Sequence, residues 1–132
     1  MGRARERGGA ATGGKTSVVT AVLNLSPATR VFVATAPVDL RGSFNALHAR
    51  VQTQLQQDPL SGHLFVFTNA RRNRVKILFW DGSGLWVCAK RLEKGRFTWP
   101  VAQSSIATLR GEELLLLLAG LEVREKRGWY RR

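Results

Sequence analysis

Residues 63–91 read HLFVFTNARRNRVKILFWDGSGLWVCAKR, and this stretch decides the fold. It contains three apolar runs, at 63–68, 74–80 and 85–91, separated by turns rich in Asn, Asp and Gly. Apolar runs of this length between such turns are typical of consecutive β-strands. The connections are much shorter than the dozen or so residues that a parallel crossover needs. The stretch therefore predicts antiparallel hairpins.

The residues before this stretch predict a strand and a helix. Residues 30–35 (RVFVAT) alternate in the manner of a short strand. An amphipathic helix is expected over residues 39–56, with Asp39 as its N-cap, because apolar side chains recur there at helical spacing. These side chains are Leu40, Phe44, Leu47, Val51 and Leu55.

The residues after the stretch predict a further strand at 96–99, a short extended segment at 105–109 and a helix at 111–119 that Gly120 ends. Taken together, the pattern predicts an α+β fold. It consists of an antiparallel β-meander of four to five strands and two helices.

Hairpin loops with an even number of residues fix which side chains share a face. With such loops, Arg74 lies opposite Arg91 in the second hairpin. In the first hairpin, Phe67 is expected opposite Arg74 and Phe65 opposite Lys76. One face then contains Phe65, Phe67, Arg74, Lys76, Leu78, Trp80 and Arg91. The other contains Leu64, Val66, Val75, Ile77, Phe79, Trp86 and Cys88, with Lys90 at its end.

The second face is almost wholly apolar, so we expect the helix over 39–56 to cover it. The first face allows two interpretations. Its basic groups could bind phosphate while Phe65, Phe67 and Trp80 stack on bases or dock on a partner protein. Alternatively, these aromatic side chains form a second core, with the basic groups at its rim.

The distribution of charge points to a polyanionic partner. The chain has 132 residues and a net charge of +12. Residues 1–29 and 122–132 each contribute +3, and the remaining +6 lies within residues 71–96. Clustered positive charge favours nucleic acid, because each contact with a phosphate releases a condensed counterion. The candidate DNA-binding residues are Arg71, Arg72, Arg74, Lys76, Lys90, Arg91, Lys94 and Arg96.

The composition also predicts how the chain is divided. Residues 1–29 are rich in Gly, Ala and Arg without apolar periodicity, which is typical of a disordered extension or of residues upstream of the true start. A single domain is expected over 30–121, followed by a basic tail over 122–132. The longest apolar run is too short to span a membrane.

Motifs that suggest catalysis lack the context that catalysis needs. Gly9 to Thr16 satisfies the spacing of a phosphate-binding loop, but no hydrophobic strand precedes it. Asp39, Asp58 and Asp81 are expected in a cap or in turns, and Cys88 lies on the apolar face. One Cys and two His cannot build a structural zinc site. We therefore predict a protein that is not an enzyme and uses neither metal nor cofactor.

Many spaced residues between about 31 and 100 resemble a known family. They are 58–67 (DPLSGHLFVF), Arg71-Arg72, 76–78 (KIL), 80–82 (WDG), 90–97 (KRLEKGRF) and Trp99-Pro100, with Asp39-Leu40-Arg41 and Ser43-Phe44 before them. The sequence strongly resembles the TnpB-type accessory proteins of the insertion-sequence-sixty-six group of bacterial transposons, encoded by the second open reading frame.

The resemblance implies a small non-catalytic protein that acts beside a large transposase. We expect it to bind DNA phosphates through residues 71–96, at transposon ends or non-specifically, in the bacterial cytoplasm at the nucleoid. The alternative is a protein-interaction module that docks on the transposase without touching DNA. The sequence leaves the oligomeric state open.

Overall fold

The computed structural model describes residues 27–120, which form an α+β fold with five strands and two helices. The elements are β1 (Val31–Ala34), α1 (Phe44–Thr53), β2 (Leu64–Thr68), β3 (Arg74–Trp80), β4 (Leu85–Arg91), β5 (Ile106–Leu109) and α2 (Gly111–Leu118). The predicted extension, the basic tail and the Gly9 to Thr16 motif lie wholly or largely outside the described residues. Neither α1 nor α2 is long and apolar enough to cross a membrane.

The strands form one sheet in the order β4-β3-β2-β1-β5. The pairs β3–β4, β2–β3 and β1–β5 are antiparallel, as expected, but β1 and β2 are parallel. The parallel pair is possible because the segment between Ala34 and Leu64 contains α1 and is long enough for a crossover. The C-terminal ends of β1 and β2 therefore lie at the same end of the sheet, beside the start of β3 and the end of β4.

The predicted register is right in one hairpin and shifted in the other. Arg74 pairs with Arg91, as predicted. Phe67 pairs with Lys76, and Phe65 with Leu78, so the first hairpin is displaced by two residues. The connection is longer than expected because Asn69 holds an extended turn: its Oδ1 accepts hydrogen bonds from the backbone N of Asn73 and of Arg74, both at 3.1 Å. A shift of two preserves parity, so each side chain keeps its predicted face.

Helix α1 covers the face opposite to the one expected. It packs over the face that contains Phe65, Phe67 and Leu78, and its own Leu47 and Val51 are buried there. The handedness of a β–α–β connection determines on which face of the sheet the helix packs. The apolar composition of the two faces does not predict this handedness. The expectation that residues 39–56 cover the Leu64 and Val66 face is therefore wrong.

The Leu64 and Val66 face is covered by α2 and by residues 97–99. Leu114 and Leu117 of α2 lie in the same buried cluster as Phe97 and Trp99. The stretch at 96–99, predicted as a strand, belongs to none of the five. The backbone N of Phe97 donates to the carbonyl of Arg72 in the β2–β3 connection, and no strand pairs with this stretch among the described residues. The indole Nε1 of Trp99 donates to the carbonyl of Ala34 at 2.9 Å. The fifth strand comes instead from the predicted extended segment at 105–109, which pairs with β1.

Helix α1 begins later than predicted. Its N-cap is Ser43, and Asp39 lies in the preceding loop, where its Oδ1 accepts a hydrogen bond from the backbone N of Arg41 at 3.0 Å. Leu40 and Leu55 are buried but lie outside the helix, and Phe44 is 44% exposed. The apolar residues that predicted the longer helix therefore belong to two groups. Some lie on α1 itself, and Leu40 and Leu55 flank the helix and are buried in the same core.

Candidate nucleic-acid interface

The loop between β2 and β3 presents basic side chains on a well-ordered turn. Asn69 organises it through its side chain, which also donates from Nδ2 to Oδ1 of Asn73 at 2.8 Å. Arg72 has φ of 59°, a conformation that few residues other than Gly adopt, and its backbone N donates to the carbonyl of Asn69. Arg71 and Arg74 are exposed. The guanidinium groups therefore extend from a backbone that several hydrogen bonds hold in place.

A second basic loop lies directly against the first. After β4 the chain continues through residues 92–97, and two backbone hydrogen bonds join it to the β2–β3 loop. The backbone N of Leu92 donates to the carbonyl of Asn73 at 2.8 Å, and that of Phe97 to the carbonyl of Arg72 at 2.7 Å. The exposed side chains of Lys94 and Arg96 are thereby brought close to the β2–β3 loop.

We call this part of the sheet the basic end. It contains six of the predicted residues: Arg71, Arg72, Arg74, Arg91, Lys94 and Arg96. Five of them are exposed and Arg72 is half-buried. The acidic residue in these two loops is Glu93, whose carboxylate lies 3.6 Å from Arg91 with both side chains largely exposed. Such a pair is weak in water, so the basic end keeps a strong positive charge.

The ammonium groups of two predicted residues, Lys76 and Lys90, donate hydrogen bonds to backbone carbonyls of the fold. Nζ of Lys76 donates to the carbonyls of Leu40 at 2.6 Å and Gly42 at 3.2 Å, which ties the loop before α1 to β3. Nζ of Lys90 donates to the carbonyl of Leu118 at 2.6 Å, at the C-terminal end of α2. Because their ammonium groups are engaged with backbone carbonyls, we remove both from the candidate phosphate contacts.

Of the two interpretations of the face that contains Phe65 and Phe67, the structure excludes the one in which these two rings are open to a ligand. Phe65 and Phe67 are 0% exposed under α1, so neither can stack on a base or touch a partner. Trp80 is half-buried at the end of β3 opposite to Arg74. The second-core interpretation is therefore correct for both phenylalanines, and Trp80 lies away from the basic end.

A groove beside the basic end adds two arginines that the sequence interpretation missed, Arg41 and Arg50. It has a volume of about 570 Å³ and is lined by residues 37–41, 69–71 and 73–74, with Arg50 from α1. It lies at the C-terminal ends of the parallel strands β1 and β2. Arg50 lies near the β2–β3 loop because β1 and β2 are parallel, and this pairing could not be known from the sequence. The sequence analysis therefore did not include Arg50 among the DNA-binding residues.

An ion pair holds Arg41 at this groove. Its Nη2 lies 2.8 Å from Oδ2 of Asp39, and its Nε 3.0 Å from Oδ1. Hydrogen bonds from the side chain and backbone of Arg41 hold the pKa of Asp39 well below its usual range. Asp39 is therefore ionised at neutral pH and offsets one of the four arginines that line the groove.

The opposite end of the sheet contains the β3–β4 turn, which Asp81 organises. Its Oδ1 accepts hydrogen bonds from the backbone N of Ser83 at 2.8 Å and of Gly84 at 2.9 Å. Its Oδ2 accepts one from Nε1 of Trp86 at 2.7 Å. The hydrogen bonds from Ser83, Trp86 and Gly84 lower the pKa of Asp81 to about 2. The predicted turn role of Asp81 is confirmed.

We expect the Asp81 carboxyl to titrate near pH 2 rather than near its ordinary 3.8. Because the folded pKa is depressed, the hydrogen bonds of the carboxylate stabilise the turn above pH 3.8 and are lost as the pH falls through about 2. The chemical shift of the Trp86 indole N–H, followed by NMR during acid titration, measures this midpoint. A midpoint for Asp81 near 3.8 would contradict the hydrogen-bond assignment.

The described residues also include His, Cys, Asp and Glu side chains outside the basic end. Within residues 27–120, no three His, Cys, Asp or Glu side chains are grouped so that they could hold a metal ion. Cys88 is partly buried, and burial raises the pKa of its thiol. It is therefore protonated at neutral pH and a weak nucleophile.

Comparison with known proteins places the chain in a family. The model of the family described as IS66 Orf2 like protein matches residues 29–128. An uncharacterized protein of Sinorhizobium fredii, y4jC, is 42% identical over 93 residues, which cover 70% of this chain and 80% of that protein. A second one from the same organism, y4hO, is 37% identical over 102 residues, 77% of this chain and 89% of that protein. No solved structure matches the chain. The family model covers most of the chain, including every element of the described fold, and the chain therefore belongs to the IS66 Orf2-like family.

Proposed function

We propose that this protein is a non-catalytic accessory factor of DNA transposition that binds the phosphate backbone of DNA through the basic end. The family associates it with transposition and an insertion sequence. The observation that supports DNA binding is the convergence of six basic side chains on two loops joined by backbone hydrogen bonds and on the adjoining ends of β3 and β4. Glu93 is the acidic side chain among them, and it is only weakly paired.

The physical basis of the proposal is electrostatic. Exposed guanidinium groups on ordered loops can form charge-assisted, bidentate hydrogen bonds with phosphate oxygens. Contacts to phosphates position a protein on DNA but do not read its sequence. We therefore expect strong salt dependence and little preference among duplex sequences.

The test is the double variant Arg71→Ala with Arg72→Ala. Each lost phosphate contact should reduce the slope of log K against log salt concentration by about 0.9, so the double variant should lose roughly two units. Fluorescence anisotropy with a labelled transposon-end duplex, measured over a series of salt concentrations, gives this slope.

The control variant is Arg30→Ala with Arg110→Ala. It removes the same charge from two exposed positions at the opposite end of the sheet, next to the paired residues Val31 and Leu109. It should lower affinity slightly through net charge and leave the slope nearly unchanged. Equal slopes for the two double variants and the unmodified protein would contradict the assignment of the basic end.

The rival proposal is a module that docks on the transposase without contacting DNA. An observation that favours it is Trp86, which is 47% exposed on β4, a strand at the edge of the sheet. Exposed aromatic side chains are frequent at protein interfaces. A pull-down of the transposase that survives nuclease treatment and is lost in Trp86→Ala, together with unchanged DNA binding, would favour this rival.

A further inference from the structure

The groove beside the basic end differs in shape from the loops next to it. The loops are convex and accessible to the surface of a duplex. The groove is concave, with a volume of about 570 Å³, and falls within the range of roughly 300–1,000 Å³ that is typical of sites for small ligands. That volume accommodates one or two nucleotides of a single strand but not a double helix.

The lining of the groove selects for an anion. Arg41, Arg50, Arg71 and Arg74 contribute four positive charges, and Asp39 contributes one negative charge. Within residues 27–120, the side chain of Arg50 makes one hydrogen bond, from Nη1 to Oε1 of Gln54 at 3.3 Å, and its remaining N–H groups can face a ligand. Arginines from the loop before α1, from α1 and from residues 71–74 thus line a space large enough for the phosphate and sugar of a nucleotide.

The apolar part of the lining indicates which part of a nucleotide would lie there. Pro37, Val38 and Leu40 contribute apolar surface, and no aromatic ring is among the lining residues that belong to the described part of the chain, residues 27–120. Single-strand sites that hold bases use aromatic side chains for stacking. A site without them is suited to the sugar and phosphate, so its affinity should depend little on the identity of the base.

We propose that this groove binds the sugar-phosphate backbone of an unpaired DNA strand, and that Arg50 is its principal phosphate contact. The proposal rests on the proposed function, because Arg71 and Arg74 belong both to the basic end and to the groove. A strand that separates from a duplex held at the basic end can therefore enter the groove without leaving the positive surface. The same continuity favours DNA over an acidic peptide as the ligand.

The first test compares single-stranded and duplex DNA. The variant Arg50→Ala should weaken binding of a 3′-labelled oligo(dT) about five- to tenfold, which corresponds to the loss of one charge-assisted contact. Binding of a duplex should change less than about twofold, because Arg50 lies outside the two loops of the basic end. The control is Arg110→Ala, which removes an exposed arginine at the other end of the sheet and should affect both ligands equally and weakly.

The second test changes the charge of the groove in the opposite direction. In Asp39→Asn, Oδ1 can still accept the hydrogen bond from the backbone N of Arg41, so the loop should keep its conformation. The negative charge disappears and the guanidinium of Arg41 becomes available. Binding of oligo(dT) should strengthen about two- to fivefold. Oligo(dA) should respond to both variants in the same way.

Each result has a distinct meaning. If Arg50→Ala weakens single-strand and duplex binding equally, or if Asp39→Asn fails to strengthen oligo(dT) binding, the groove proposal is overturned while the proposed function stands. If Arg50→Ala weakens binding of an oligoglutamate peptide but not of oligo(dT), the proposal is overturned in favour of an acidic protein segment. If duplex binding shows no salt dependence but oligo(dT) binding responds as expected, the groove proposal holds and the duplex function fails.

Discussion

Replacing Phe67 by alanine is expected to lower the free energy of unfolding by about 3–5 kcal/mol, the usual cost of removing a buried phenylalanine ring. Phe67 is 0% exposed and lies in the cluster under α1 with Leu47, Val51 and Leu78. Its removal leaves a cavity that this layer cannot fill without moving the helix. Urea denaturation followed by circular dichroism measures the change.

The matched control for this prediction is Phe44→Ala. Phe44 is the first residue of α1 and is 44% exposed, so its replacement should lower the free energy of unfolding by less than about 1 kcal/mol. The conservative variant Phe67→Leu should stay folded and bind DNA as the unmodified protein does. A Phe67→Leu protein of unchanged stability that has lost DNA binding would show that the ring contacts the nucleic acid, contrary to its burial.

The two faces of the sheet could be predicted because they depend only on the alternation of side chains along a strand. An error of two residues in the β2–β3 register left Phe65 and Phe67 on the predicted face. The side on which α1 packs depends on the parallel pairing of β1 and β2, which involves residues far apart in sequence. No local pattern shows this pairing, and this is why the sequence left open whether the two phenylalanines lie on an exposed face or in a second core.

The candidate site shows the same division between local and long-range information. The clustering of Arg71, Arg72, Lys94 and Arg96 could be predicted because two short hairpin connections bring these positions to one end of the sheet. The arginines of the groove come from the loop before α1 and from α1 itself, so their position depends on the crossover. A count of charges along the sequence also cannot distinguish lysines that face solvent from lysines, such as Lys76 and Lys90, whose ammonium groups bind backbone carbonyls.

Lys76→Met is the second large effect that we expect, because this lysine joins strand β3 to the loop before α1. Its Nζ, in a partly buried position on β3, donates to the carbonyls of Leu40 and Gly42. Methionine has a similar length and apolar stem but no donor, so both carbonyls lose a charged partner. Hydrogen bonds to charged groups contribute about 1.5–3 kcal/mol each, and partial access of water to the freed carbonyls should limit the net loss to about 2 kcal/mol.

The control that separates this structural role from the loss of a positive charge is Lys94→Met, at an exposed position of the basic end. Both variants remove one positive charge. Lys76→Met should weaken duplex DNA binding only slightly, whereas Lys94→Met should also lower its salt slope by about one unit, because Lys94 belongs to the basic end. Only Lys76→Met should lower the free energy of unfolding, and only it should also weaken oligo(dT) binding, because the loop that it releases contains Asp39 and Arg41. If Lys76→Met proves as stable as Lys94→Met and instead reduces the salt dependence of duplex binding by about one unit, Lys76 is a phosphate contact and its assignment to the fold is wrong.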